Sequence, residues 1–435
     1  MLNRRHILAV LFTLPLVLSG CKIDTINYFP PKAAHVRIIN AVPDATALNV
    51  TVDGTATWSS LGFEAITTYT DFTNETHNFS VKVAGLTSTL TQASYNLAGN
   101  GFYTLIAFGP VNTPSLILIS DDTVTPTAGK LLLRVANVAA GGGVVDIYLT
   151  TPGAALDTLI PNISGAFYGA STGFIQVASG SLQLRMTQSG TKNVIYDSGA
   201  RTFSDNTATD AIVYTRSGGQ LVNLVLADIN GAGKSMIVNS TMTELKVVNA
   251  AFQTGAVNQV LDGGAVVVSN LAYAAASGYN IIPPGPHTIT FEATATPGAT
   301  IASVAPTLAA AADNSVFVTG FAGALTAVVL HDQNFPPQNS NARLRIVNAS
   351  PDAPALDVSV NGTRQASALG FPLAFPGASS YLEQGSGTYA LAFSNPATGV
   401  VVLTLSGVVF AAGQTSTIYL VGPVAQLASI LTRDF

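Results

Sequence analysis

Charge is what this 435-residue chain has least of, with Asp, Glu, Lys and Arg making up 9%. Soluble domains carry roughly 25%. Ser, Thr, Asn, Gln and Gly must therefore cover the surface. Disorder is excluded, because disordered chains are rich in charge and poor in apolar residues, and here the residues AVILMFWYC account for 48%. The formal net charge of −5 comes without a basic cluster, which argues against a nucleic-acid partner. A single cysteine rules out an internal disulfide. None of the five histidines stands at metal-ligand spacing from another, so neither a metal nor a cofactor is expected. A long helical stripe is lacking as well. Apolar residues recur mostly at every second position, the period of a strand.

What is present begins with MLNRRHILAVLFTLPLVLSGCK. Arg4 and Arg5 form a basic start, and the apolar stretch at 7–18 is shorter than the roughly 20 residues a spanning helix needs. That length suits an export signal. Leu18-Ser19-Gly20-Cys21 resembles the bacterial lipobox, in which cleavage precedes the cysteine and the thiol receives a diacylglycerol. Small Ser19 and Gly20 fit a tight peptidase site, and Cys21 is the chain's only thiol. Lipid attachment at Cys21 is therefore expected, with the membrane as partner through buried acyl chains. Lys22, where Asp would favour inner-membrane retention, points to the outer membrane. Loss of the leader removes Arg4 and Arg5 and leaves the chain more acidic.

The body of the chain is built from repeats. RLRIVNASPDAPALDVSVNG at 343–362 restates HVRIINAVPDATALNVTVDG at 35–54. Four segments share a basic residue, two mostly apolar residues and Asn, ending at Asn40, Asn137, Asn249 and Asn348. Their basic residues are Arg37, Arg134, Lys246 and Arg345, spaced roughly 100 residues apart. Twelve positions after each comes Asn49, Asp146, Asn258 or Asp357. Each copy closes on an apolar strand: SLILISDD, LVNLVLAD, LTAVVLHD and LASILTRD. About seven short strands per copy, separated by Gly, Pro, Asn and Ser, predict an all-β chain of four tandem immunoglobulin-like antiparallel β-sandwich domains behind a lipoprotein signal peptide. The boundaries read as signal peptide 1–20, lipidated tether 21–33, and repeats at 34–122, 129–230, 243–334 and 341–435. One stretch, 302–313, could pass for helix.

The opening phrase of each copy reads as a hairpin. Pro351 lies midway between Arg345 and Asp357, as Pro43 does between Arg37 and Asn49. A turn there would set the basic residue against its Asp or Asn across two strands and fix register, at about 0.2–1 kcal/mol if exposed. Asn348 and its equivalents are expected to bond loop backbone. A ligand-binding role for Arg345 and Asp357 is disfavoured, since Asn replaces Asp in two copies. The joins at 123–127 and 335–339 contain proline and should be short and stiff, giving an elongated or paired array. The join at 230–243 is longer, holds Gly231 and Gly233, and is where relative motion is expected.

The pattern basic-φ-φ-Asn-Ala-x-Pro-Asp-Ala followed by Leu-Asp-Val-x-Val-Asn-Gly resembles the bacterial domain of unknown function numbered 4397. It is carried by 342–362 and 35–54. In the second copy Val138-Ala139-Ala140-Gly141-Gly142-Gly143 replaces the Pro-Asp turn, and in the third Ala251-Phe252-Gln253-Thr254-Gly255 does. The resemblance implies a secreted or surface-anchored β-domain protein and transfers no catalytic residue.

Other motifs fail on context. Gly169-Ala170-Ser171-Thr172-Gly173 matches the serine-hydrolase pattern, which needs a strand-to-helix elbow, and the other copies lack it. Ser189 and Lys192 have S-x-x-K spacing without companion motifs. Gly231-Ala232-Gly233-Lys234-Ser235 ends like a phosphate loop but has Asp228 where the first glycine belongs. Asp228-Ile229-Asn230-Gly231 opens like a calcium loop without the later ligands. His35, His77, His287 and His331 read as structural or solvent-facing. Trp58, Phe63, Tyr273 and Phe371 could form a sugar platform, but their recurrence favours packing. The leading expectation is a non-catalytic, lipid-anchored protein of the bacterial cell envelope, with a structural, adhesive or ligand-binding role and an envelope protein or glycan as partner. A carbohydrate-binding module array is the alternative, and a hydrolase built on Ser171 stands behind it.

Overall fold

The computed structural model describes residues 32–122, 125–216, 220–229, 235–264, 266–338, 341–365 and 370–434. Repeat 1 comprises β1 (Ala34–Ala41), β2 (Leu48–Val52), β3 (Thr55–Leu61), β4 (Thr70–Phe72), β5 (Thr76–Val83), β6 (Thr89–Asn96), β7 (Phe102–Phe108) and β8 (Ser115–Ser120). One sheet has the order β4-β1-β7-β8 and the other β3-β2-β5-β6. In β2 the alternation places Leu48, Val50 and Val52 inside. Asp53 and Gly54, both with positive φ, make the tight β2–β3 turn that a two-residue hairpin favours. Between them the two sheets enclose a core that includes Val36, Ile38, Phe79, Val81 and Leu105.

The same plan recurs three times, each copy with its own core. The first strand of every copy runs parallel to a late one: β1 with β7, Lys130–Asn137 with Ala208–Thr215, Thr243–Phe252 with Asp313–Phe321, and Ala342–Ala349 with Thr415–Val421. The sandwiches are thus antiparallel except for one parallel ladder apiece. Residues 302–313 are not helical. They include the end of strand Thr300–Val304 and the short strand Thr307–Leu308.

The expected opening hairpin does not form. β1 and β2 belong to different sheets, as do Ala342–Ala349 and Asp357–Val360. The Pro-Asp segment carries the chain across the sandwich, so Arg345 and Asp357 are not cross-strand neighbours. Asp357 is held instead by Arg364, at 2.7 Å and 2.9 Å.

The reason lies in β1, which is buried on both faces. Val36 and Ile38 enter the core of repeat 1, while Arg37, Ile39 and Ala41 turn away from it. The sheets containing the first strands pack repeat against repeat. Ile39, Ile106, Phe108 and Ile119 of repeat 1 meet Ala136, Val138, Ile212 and Val225 of repeat 2 in a shared apolar layer. Val248, Ala250 and Phe317 of repeat 3 meet Val347, Tyr419 and Val421 of repeat 4 in another. The array is paired, 1 with 2 and 3 with 4.

The described part of the join at 230–243 is no loose tether. Ser235–Val238 adds a strand to the edge of repeat 2. Ser240 donates its N–H to Asn223 Oδ1 at 2.8 Å, and Thr241 donates to Asp197 O at 2.7 Å. Residues 230–234, with Gly231, Gly233 and Lys234, lie outside the described residues, as do Thr123, Val124 and Asn339. Repeat 1 also touches repeat 4: a Cβ at Gly413 would sit 3.3 Å from Asp44 Oδ2.

Candidate functional site: charged seams between paired repeats

Each apolar layer borders a buried ionic cluster. Arg37, fully buried, lies 3.7 Å from Asp121 of its own repeat and 3.6 Å from Asp210 of repeat 2. Arg134 of repeat 2 reaches Asp210 at 2.7 Å and 2.9 Å and crosses to Asp121 at 2.7 Å. The backbone contacts are reciprocal as well. Arg37 Nη1 donates to Asp228 O at 2.9 Å, and Arg134 Nη1 donates to Ser120 O. Two guanidinium groups and two carboxylates thus share one dry seam.

Repeats 3 and 4 repeat the design. Arg345 of repeat 4 crosses to Asp332 of repeat 3 at 2.6 Å, and Lys246 of repeat 3 crosses to Asp434 of repeat 4. A hydroxyl from the neighbouring strand braces three of the four carboxylates: Thr104 donates to Asp121 at 2.6 Å, Ser315 to Asp332, and Thr417 to Asp434 at 2.5 Å. An aromatic ring covers each cation: Tyr69 on Arg37, Phe174 on Arg134, Tyr279 on Lys246 and Tyr381 on Arg345. Such contacts add to pairing when water is excluded.

Burial and pairing compete in these groups. Burial pushes Asp210 up to about 6, although Arg134 opposes it. In Asp332 burial also pushes upward, but Arg345 and Lys246 outweigh it and hold the carboxyl below its ordinary range. Burial works against the charge on Arg134, and its bonds to Asp210 and Asp121 more than restore it. Every carboxylate here is engaged by cations or hydroxyls. The arrangement binds repeat to repeat.

Three further recurrent devices surround the seams. Asn40, Asn137, Asn249 and Asn348 are buried and bond loop backbone, as expected. Their Nδ2 groups donate to Leu61 O, Ala166 O, Leu271 O and Leu373 O at 2.9–3.1 Å. Their Oδ1 atoms accept the N–H two residues on. The residue twelve after the basic one serves a bulge: Asn49, Asp146 and Asn258 accept the N–H of Ser60, Gly165 and Asn270, each with positive φ. Two residues beyond the acceptor carbonyl an aromatic side chain reaches the partner repeat. Phe63 meets Tyr214 edge-on at 5.5 Å, and Tyr168 meets Phe108 at 5.6 Å. The hydroxyl of Tyr273 lies 2.9 Å from where a Cβ on Gly422 would be.

The aromatic residues singled out in the sequence are accordingly packed. Trp58 and Phe371 are core residues, and Phe63 and Tyr273 line the inter-repeat layers. By its place after Leu373, Phe375 is the repeat-4 counterpart of Phe63. The motif match to Leu369-Gly370-Phe371 misplaced it, and Leu369 lies outside the described residues. Ser171 sits in a short strand paired with Ala136, not on a strand-to-helix elbow. Lys192 donates to Tyr148 Oη at 2.8 Å. His77 and His287 each bond a turn aspartate, Asp53 at 2.6 Å and Asp262 at 2.8 Å, and His35 bonds Asp71 at 2.6 Å. Among the described residues no group of three His, Cys, Asp or Glu could hold a metal ion. No helix among them is long and apolar enough to cross a membrane. Cys21, Arg4, Arg5 and Lys22 lie outside the described residues.

The family described as "Domain of unknown function (DUF4397)" matches residues 34–148, 243–359 and 344–435. No curated protein matches the sequence. Among solved structures, a streptococcal virulence factor described for α-glucan binding is 10% identical, over 42% of this chain and 93% of that one, with a TM-score of 0.16. The CBM26 module of Eubacterium rectale Amy13K, in complex with maltoheptaose, is 11% identical over 42% and 92%, with a TM-score of 0.15. The Bacillus anthracis TIE protein is 10% identical over 86% and 65%, with a TM-score of 0.14. Superpositions this poor carry no argument about ligand.

Proposed function

Because the chain belongs to the DUF4397 family, we propose that it is a non-catalytic scaffold of the bacterial cell envelope. Lipid on Cys21 tethers it to the outer membrane, and its four repeats present a rigid binding or adhesive surface to an envelope protein or glycan. The observation that carries this reading is where the rare charges go. Arg37, Arg134, Lys246, Arg345, Asp121, Asp210, Asp332 and Asp434 are all buried between repeats. With those charges sequestered, contacts with a partner would rest on polar and apolar patches and less on long-range steering.

The test is expression of the full chain in a diderm bacterium, followed by membrane fractionation and mass spectrometry of the amino-terminal peptide. A diacylglyceryl Cys21, lost in Cys21→Ser together with outer-membrane fractionation, supports the tether. A free thiol on exported protein overturns it. Pull-down from intact envelopes and a glycan array then identify the partner class. Turnover of an ester or glycoside by the purified chain would refute the scaffold role.

A further inference from the structure

A pair of buried acids occupies the junction between the two repeat pairs. Glu244 opens the first long strand of repeat 3, and its Oε2 accepts the N–H groups of Gln220 and Leu221 of repeat 2, at 3.1 Å and 3.2 Å. It is fully buried, and Oε1 meets no donor. On the adjacent parallel strand its register partner is Asp313, also buried. Two ionised carboxylates have no hydrogen to share and repel one another, so their pairing in a buried site requires a proton on one of them.

We infer that Glu244 and Asp313 form a shared-proton latch that holds repeat 3 against the Gln220–Leu221 segment of repeat 2 and releases it when the proton is lost. Burial, followed by the neighbouring Asp313, holds the Glu244 carboxyl well above its ordinary range, and the two backbone N–H groups only partly offset this. Loss of the proton leaves two negative charges facing one another away from water.

Arg216, His331 and Asp332 line a small pocket with Asp313, and Asp332 is already committed to Arg345. Arg216 stacks on Phe335 at 5.3 Å and reaches toward Glu64 at 4.0 Å. Lys246, two residues along the strand from Glu244, is bound to Asp434.

The experiment is amide hydrogen exchange at Gln220 and Leu221 in the full-length chain from about pH 5 to pH 10, corrected for intrinsic rates. Difference infrared spectroscopy of the protonated carboxyl band accompanies it. Wild type should lose protection at these two amides as the carboxyl band disappears. Glu244→Gln, which keeps an acceptor for the amides and gives Asp313 a donor, should keep protection at every pH and lack the band. Glu244→Ala should be unprotected throughout. Protection in wild type that does not change with pH, or an unchanged transition in Glu244→Gln, overturns the latch. So does a transition that a divalent cation restores and a chelator abolishes, since a metal would then replace the proton.

Discussion

Arg345 and Asp332 belong to different repeats and meet at 2.6 Å in a seam from which water is excluded. Breaking such a pair from one side leaves a buried charge without its counterpart, which costs about 3–5 kcal/mol. Arg345→Met should therefore lower the stability of the full chain by that amount, read as a shift in the urea midpoint. The double variant Arg345→Met with Asp332→Leu should recover most of the loss, because apolar replacement of both partners is often neutral. Arg345 with Asp357, whose side chains are engaged elsewhere, should be additive within about 0.3–0.5 kcal/mol. Coupling there as strong as with Asp332 would contradict the seam.

Asn348 offers a second test of what the repeated phrase is for. Its side chain satisfies Leu373 O and the Ser350 N–H, both in the interior. Asn348→Ala leaves the buried Ser350 N–H unpaired, while Leu373 O keeps the Leu356 N–H, and should cost about 1–3 kcal/mol. Asn348→Asp keeps the acceptor for Ser350 and loses the donor, so it should be destabilised too. Denaturant titration of both variants, compared with an exposed control such as Asn112→Ala, reads the difference.

Much of this was legible in the sequence, and what was not has a definite cause. Four basic-φ-φ-Asn phrases and period-two runs specified the repeats, their strand character and the buried asparagines. The spacing of Arg345 and Asp357 is compatible both with a hairpin and with a crossing between sheets, so it could not decide register. One discriminating signal lay in the strand itself. In AHVRIINA five of eight positions are apolar and Ile38 and Ile39 stand side by side, so apolar residues fall on both faces, whereas LNVTV alternates. A second signal was the acid that closes ISDD, VLHD and LTRD. In a chain so short of charge, a carboxylate recurring at one structural position has a partner to find, and repeat 2 conceals it by moving the carboxylate to Asp210 on the next strand. The aromatic clasps and the Glu244–Asp313 pair depend on contacts between repeats, which no local pattern encodes.

Gly422 ties backbone geometry to the pairing of repeats 3 and 4. Its φ is +82°, a region that costs a non-glycine residue about 1–3 kcal/mol, and a Cβ there would also press on the Tyr273 hydroxyl. Gly422→Ala should therefore be more destabilising than Gly54→Ala, where φ is +80° but a Cβ meets nothing within 4 Å. Tyr273→Phe in the Gly422→Ala background should restore part of the difference. Thermal unfolding of the three variants and of wild type measures it. Equal losses at the two glycines would show that the clasp does not bear on stability.

The His77–Asp53 pair gives repeat 1 a pH dependence whose sign can be worked out. Burial disfavours the charged imidazole, but the bonds to Asp53 and to Thr73 O outweigh it, and the His77 pKa is raised above its ordinary value. Its contribution is therefore complete below the unfolded value of about 6.5 and fades as pH rises through the higher folded value. Asp53 shifts the other way: the Asn78 N–H and then His77 hold its carboxyl low. Its contribution is present above the unfolded value of about 3.9 and fades as pH falls through the lower folded one. The pair stabilises most between about pH 4 and 6.5. A plot of melting temperature against pH for His77→Gln, subtracted from wild type, should show a plateau in that window and decline on both sides. A difference that instead grows from pH 7 to 9 would mean that His77 is held neutral in the folded protein, and the assigned direction would be wrong.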